Sequence, residues 1–375
     1  MEPAPCFLNK EPEGNDVLDL KYLLQKAVEK GASDLHITIN NPPRMRIDGE
    51  LCNAGTQLLD ASQTQELCMQ ILSPEQKKQL QEGKKELDFA FEIEGVSRFR
   101  CNIFHNLKSI CGVFRVIPYK ILSFEELGLP RIGFSMIDAR PGLVLITGAT
   151  GSGKSTTLAA MVDKINSDRN HHVLTIEDPV EFVHPKKKAI VTQREVGVDT
   201  DSFASALKYA LREDPDVVLV GEMRDLETIS NALTIAETGH LVLATLHTNS
   251  AVQSINRIID VFPSHQQPQV RTQLSFVLKG VFSQKLVPAA NGSGRVLALE
   301  TLCPNNAIRQ LIREDKLHQI ESHMLSGQRS HGMQVMDMHL VSLVKEGKIR
   351  RETAIQHAKN PEDMQSELPQ TGLGF

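Results

Sequence analysis

Leu143-Val144-Leu145-Ile146-Thr147-Gly148-Ala149-Thr150-Gly151-Ser152-Gly153-Lys154-Ser155-Thr156 decides the fold of this chain. The apolar run Leu143 to Thr147 passes directly into a segment of the form G-x-x-x-x-G-K-[ST], and the helical pattern Thr157 to Ile165 follows. That is the strand, loop and helix order in which such a segment cradles phosphate. Three glycines let the backbone wrap close to a phosphate chain with its N–H groups turned inward, and the start of the next helix adds partial positive charge there. Lys154 reaches the β- and γ-phosphates, and the Ser155 hydroxyl is a ligand for Mg²⁺. The stretch predicts a nucleoside triphosphate site over Gly148, Ala149, Thr150, Gly151, Ser152, Gly153, Lys154, Ser155 and Thr156.

Outward from this loop, strands and helices alternate: Val173 to Ile176, Ile190 to Thr192, Phe203 to Arg212, Val217 to Val220, Leu226 to Glu237 and Leu241 to Leu246. Continuous apolar strands such as Val217-Val218-Leu219-Val220 belong in a sheet covered on both faces, so the fold class is α/β. From Ser250 onward the pattern is mostly helical, with one strand around Arg295 to Thr301 and a polar tail, 361–375. Before the α/β domain, 118–141 carries Pro118, Pro130 and Pro141 and predicts a linker with one short helix, a hinge. Residues 17–117 run helix, strands, two helices and three strands, a smaller α+β domain of about 100 residues. A polar leader, 1–16, precedes it.

The 375 residues include 41% hydrophobic and 23% charged positions, enough for about two or three domains. No apolar run approaches the roughly 20 residues that span a bilayer, and the start of the chain does not resemble an export signal, which predicts a cytoplasmic protein. The six cysteines form no C-x-x-C pair, which argues against zinc. A formal net charge of -5 and the absence of Trp argue against nucleic acid as partner.

Hydrolysis of a triphosphate needs a metal, a group that orients water, and cations for the charge spreading over the γ-phosphate. Glu222 ends the apolar strand Val217 to Val220, the place for a carboxylate near Mg²⁺. Glu177, Asp178 and Glu181 crowd around Pro179 after another strand, and three acids so close need a metal, an arginine or a polarised water to offset them. A solvated acidic turn is the plainer alternative. His240 and His247 bracket the strand Leu241 to Leu246; His247, at its C-terminal end, is the candidate phosphate sensor, and His240 is more simply a structural residue.

Taken in order, the phosphate loop, Ile176-Glu177-Asp178-Pro179-Val180-Glu181, Val220-Gly221-Glu222-Met223-Arg224-Asp225, and Glu237-Thr238-Gly239-His240 to His247-Thr248-Asn249 resemble the Walker A, Asp, Walker B and His boxes of the type II/IV secretion ATPases. Within them the chain resembles the type IV pilus retraction ATPases, the PilT family. Ala32-Ser33-Asp34-Leu35-His36-Ile37, Arg98-Phe99-Arg100, Val113-Phe114-Arg115 and Ala307 to Glu314 extend the resemblance over about residues 17 to 360. It implies a PAS-like domain at 17–117, a RecA-like P-loop ATPase domain with a helical C-terminal part at 142–360, and a homohexamer that hydrolyses ATP with Mg²⁺.

By matching position Lys154 binds phosphate, Ser155 and Glu222 serve the metal, Glu181 polarises the attacking water, and His240 and His247 form the His box. Arg98, Arg100 and Arg115 are the arginine-finger candidates, against the simpler reading as strand-surface cations. The helix Ala307 to Glu314 resembles the retraction motif; as a packing helix it would bury Ala307, Ile308, Leu311 and Ile312 and turn Arg309 away. Lys108 stands where the family pattern has an arginine. The implied partners are an inner-membrane pilus platform protein and a paralogous retraction ATPase, with the ring cytoplasmic at the pilus base. A PilU-like accessory motor or another secretion ATPase is the runner-up. A nucleic-acid translocase and a non-hydrolysing nucleotide-dependent regulator are the readings from other classes.

Overall fold

A computed structural model describes residues 19–47, 49–117, 120–138, 141–292, 294–326 and 332–368, and the chain divides into two units, Met1–Lys120 and Ile121–Phe375. The leader 1–16 lies outside the described residues.

In the first unit, α1 (Leu20–Glu29) is capped by Asp19, whose side chain accepts from the Lys21 N–H, and buries Leu20, Leu23, Leu24 and Ala27 at helical spacing. Strands β1 (Asp34–Ile37), β2 (Arg44–Ile47) and β3 (Glu50–Asn53) follow, then α2 (Ala61–Met69) and α3 (Pro74–Gln81). Both of these helices start in capping boxes, Asp60 with Gln63 and Ser73 with Gln76. Strands β4 (Glu86–Ile93), β5 (Ser97–Asn106) and β6 (Ser109–Ile117) complete an antiparallel sheet in the order β3-β2-β1-β6-β5-β4. Along β5, Phe99, Cys101 and Ile103 are fully buried while Arg98 and Arg100 alternate with them on the opposite face.

The second unit opens with α4 (Ile132–Ile137). It continues with β7 (Gly142–Thr147), α5 (Lys154–Asp168), β8 (His172–Glu177), β9 (Ile190–Glu195), α6 (Phe203–Ala210), β10 (Val217–Val220), α7 (Leu226–Glu237) and β11 (Leu241–Leu246). Then come α8 (Ala251–Asp260), α9 (Gln267–Val277), β12 (Leu278–Pro288), β13 (Arg295–Leu302), α10 (Asn306–Arg313), α11 (Ile320–Ser326), α12 (Met336–Lys345), α13 (Arg351–His357) and α14 (Pro361–Glu367). The sheet order is β13-β12-β7-β11-β10-β8-β9, parallel except for the β12–β13 pair. Every residue of β7, β10 and β11 is buried, so helices must cover both faces and the ends of the strands become the place for chemistry.

Four expectations need correction. Residues 121–138, expected as part of a free linker, pack on the second unit's core through Phe124, Leu129, Met136 and Ile137, so the boundary between units falls at Lys120. The stretch after Ser250 contains a second strand, β12, paired with β7; its central Ser283 and Gln284 are each only 1% exposed and interrupt any apolar pattern. Strand β9 extends past Thr192 to Glu195. The start of the polar tail is helical, with Met364 and Leu368 buried beside Leu340 and Ala354.

Candidate active site

The phosphate loop leaves the end of β7 under tight steric control. A Cβ on Gly148 (φ 145°) would lie 2.5 Å from the Gln284 carbonyl oxygen and 2.5 Å from Ser152 Oγ, so glycine is required. Gly153 (φ 90°) caps α5 without any side-chain hydrogen bond to the helix. The first N–H groups of a helix have no carbonyl within it to bond, and here no capping side chain substitutes, which makes the start of α5 an anion site. Gln284 braces the loop from β12: its Nε2 donates to Thr157 Oγ1 at 2.7 Å.

Lys154 stands at the head of α5. Its ammonium donates to the carbonyl oxygens of Gly148 at 2.8 Å and Ala149 at 3.1 Å. Partial burial lowers its pKa, and Glu222 and then Glu181 act in the opposite direction. Both carboxylates therefore lie close enough to the phosphate-loop ammonium to act on it, although they come from different strand ends.

Glu222 sits just beyond β10 in a turn held by its neighbours: the Gly221 N–H donates to the Ile176 carbonyl at 2.8 Å, and the Met223 N–H to the Thr245 carbonyl at 3.1 Å. Its carboxylate is 2.6 Å from Arg224 Nη2 and 3.4 Å from His247 Nε2. Burial pushes the carboxyl up, but the Arg224 hydrogen bond, His247 and Lys154 together hold it below the usual range. Glu222 is thus ionised at neutral pH. With the Ser155 hydroxyl in the first turn of α5, the donors are hard oxygens, which fit Mg²⁺.

The acidic turn begins at the end of β8. Burial raises the Glu177 carboxyl to about 7, opposed by hydrogen bonds from Thr175, Gln193 and the Glu181 backbone and reinforced by the Glu181 charge. Glu181 itself is half-buried on the loop that follows.

His247 reaches Glu222, but His240 is not brought to this place. It stands at the opposite end of β11, where its Nδ1 lies 3.1 Å from the Ile235 carbonyl oxygen and 3.2 Å from Thr238 Oγ1, at the close of α7. Arg98, Arg100 and Arg115 lie in the first unit. Arg100 pairs with Arg115 across β5 and β6, and Arg98 is two residues from Arg100, so all three share one sheet face. There Arg98 Nη1 is 3.9 Å from Glu92, Arg100 Nη2 2.8 Å from Asp88, and Arg115 Nε 3.0 Å from Asp34.

The helix α10 buries Ile308, Leu311 and Ile312, whereas Ala307 is exposed. Arg309 does not turn away, as an amphipathic reading would have it. It donates to the carbonyls of Ser275, Phe276 and Leu278 at the C-terminal end of α9, the last two at 3.1 and 3.0 Å. No spacing along α10 signals this contact, because its acceptors are backbone atoms of a distant segment.

Residues 13–373 match the family of type II/IV secretion system proteins. The chain is 50% identical over 346 residues to the type IV pilus retractation ATPase PilT of Pseudomonas aeruginosa, covering 92% of this chain and 100% of that protein. It is 40% identical over 347 residues to the type IV pilus ATPase PilU of the same organism, covering 92% and 90%. Among solved structures, the pilus retraction motor PilT with bound ADP matches with a TM-score of 0.85 at 48% identity, over 93% of this chain and 99% of that one. The expected fold class, a RecA-like α/β domain preceded by a smaller α+β domain, is that of these relatives. The chain therefore belongs to the type II/IV secretion system protein family, in its type IV pilus retraction ATPase (PilT) branch.

Proposed function

We propose that this protein is an ATP-hydrolysing motor that powers the retraction of type IV pili, acting as a homohexameric ring on an inner-membrane pilus platform protein. The observation that carries the reading is electrostatic: Glu222 and Glu181, from two separate strand ends, both act on the Lys154 ammonium at the head of α5. An ammonium, open helix N–H groups and two convergent carboxylates supply what phosphoryl transfer to water asks of a protein: positioning and charge.

In this reading the N–H groups of the loop and α5 hold the phosphate chain, and Lys154 neutralises its charge. Glu181 orients and polarises the attacking water. Glu222, kept ionised by Arg224, and the Ser155 hydroxyl would hold Mg²⁺, which when bound offsets the negative charge of the β- and γ-oxygens. His247, tied to Glu222, registers the state of the γ-phosphate. Arg98, Arg100 and Arg115 are the candidate fingers, and a finger is worth about 10³- to 10⁵-fold in rate. The joint for a moving step lies at the boundary near Lys120. A PilU-like accessory motor is the second reading, supported by the PilU relative that also matches 92% of the chain.

The test is made in cells and in the tube. Lys154→Ala should abolish ATP turnover by the purified protein. A strain carrying it should keep surface pili that no longer withdraw, with twitching lost. Loss of the pili themselves would contradict retraction, and retraction that persists with only the force reduced would favour the accessory motor.

A further inference from the structure

Glu181 rides on a loop that departs from β8 after Glu177 and returns to the sheet at Ile190. Three alternate residues of that loop are gripped from β9, the outermost strand of the sheet. Gln193 Nε2 donates to the Phe182 carbonyl at 2.8 Å, and Gln193 Oε1 accepts from the His184 N–H at 3.0 Å. Two residues along the same face, Glu195 Oε2 accepts from the Val180 N–H at 3.1 Å. The same Gln193 Nε2 also lies 3.4 Å from Glu177 Oε1, at the end of β8 where the loop departs. One side-chain amide thus engages the residue after Glu181, the third residue after it and the Glu177 carboxylate at the root of the loop.

We propose that Gln193 is a positioning residue for ATP hydrolysis: it fixes the Glu181 loop through both ends of its amide while touching no part of the nucleotide. The inference rests on the reading of Glu181 as the residue that polarises water. Its physical basis is the geometric demand of the attack, since a displacement of about 1 Å in such a group costs on the order of 10²-fold in rate. Glutamine suits the place because it offers a donor and an acceptor at once. A glutamate offers only acceptors until protonated, and methionine keeps the length while offering neither.

The titratable groups that face Gln193 are Glu177 from β8, Glu181 and His184 from the loop, and Glu195 along β9. Burial pulls His184 down to about 4, so it stays neutral near neutral pH. A carboxyl introduced at position 193 would sit beside Glu177 and the Phe182 carbonyl oxygen, and would regain a donor only on taking up a proton.

The test uses the full-length protein with Q193M, Q193E and E181A side by side, measuring phosphate release and the affinity for a fluorescent ATP analogue. For Q193M the expected result is a fall in kcat of about 10- to 100-fold, with affinity within about twofold of the unmodified protein. For Q193E, activity relative to the unmodified protein should climb as pH is lowered from about 8 to about 6, a response that loss of packing would not produce. A Q193M enzyme that keeps its kcat, a parallel loss of kcat and affinity, or a Q193E ratio flat with pH would each overturn the proposal. If E181A is inactive while Q193M is normal, the positioning role alone fails. If E181A hydrolyses ATP normally, the reading of Glu181 fails and takes the role of Gln193 with it.

Discussion

Replacing Glu177 with glutamine should change the pH dependence of stability in a direction and by an amount that the structure sets. The Glu177 carboxyl titrates at about 7 in the folded chain, against an ordinary 4.5. Its neutral form is favoured by folding, so its contribution is full below the unfolded value and is lost as pH rises through the folded one. Between about pH 5 and about pH 8, that linkage removes on the order of 2 to 3 kcal/mol of stability from the unmodified protein. Glutamine does not titrate and removes this slope. The hydrogen bonds it alters with Thr175, Gln193 and the Glu181 backbone add an offset that is nearly the same at both pH values and cancels in the comparison. The assay is urea denaturation of both proteins at equal concentration at each pH. The stability of E177Q relative to the unmodified protein should rise by about 2 to 3 kcal/mol from the lower pH to the higher. A change below about 1 kcal/mol, or one of opposite sign, would refute the idea that burial sets this group.

Gly148→Ala should weaken ATP binding about 10-fold or more, because its Cβ would meet the Gln284 carbonyl oxygen at 2.5 Å and the loop must shift. Titration of a fluorescent nucleotide reads this, and unchanged affinity would contradict the steric argument. Arg309→Ala should cost about 1.5 to 3 kcal/mol in denaturant unfolding, since a charged donor to three carbonyls at the end of α9 is lost. Arg309→Lys should recover less than half of that, as an ammonium cannot fork across the same acceptors.

Much of the fold was legible because its signals are local. The phosphate loop is a contiguous pattern, and β7, β10 and β11 are unbroken apolar runs that the sheet buries completely. The position of Glu222 follows from its place after such a run. What was not legible depends on tertiary partners. The buried Ser283 and Gln284 disguise β12 by interrupting its apolar pattern, and the reason for the glutamine is tertiary: its amide donates to Thr157 at the start of α5. Gln193 looks like an ordinary polar residue at a strand end until the returning loop is laid beside it. The segment 118–141 reads as a linker from its prolines and charges, yet within it Phe124 stacks on Phe134 with ring centroids 4.5 Å apart. The histidines show the limit from the other side: their spacing puts them at the two ends of one strand, and only contacts assign His247 to Glu222 and His240 to the close of α7.

In the mechanism proposed above, the Glu181 loop and the Glu222 strand end act together on one triphosphate held at the head of α5. Phosphate release by Glu181→Gln, measured beside nucleotide affinity on the same preparation, tests it most directly. ATP should bind with affinity within about threefold of the unmodified protein while turnover falls by about 10²-fold or more. Turnover at the unmodified rate, or a loss traced wholly to failed binding, would contradict it.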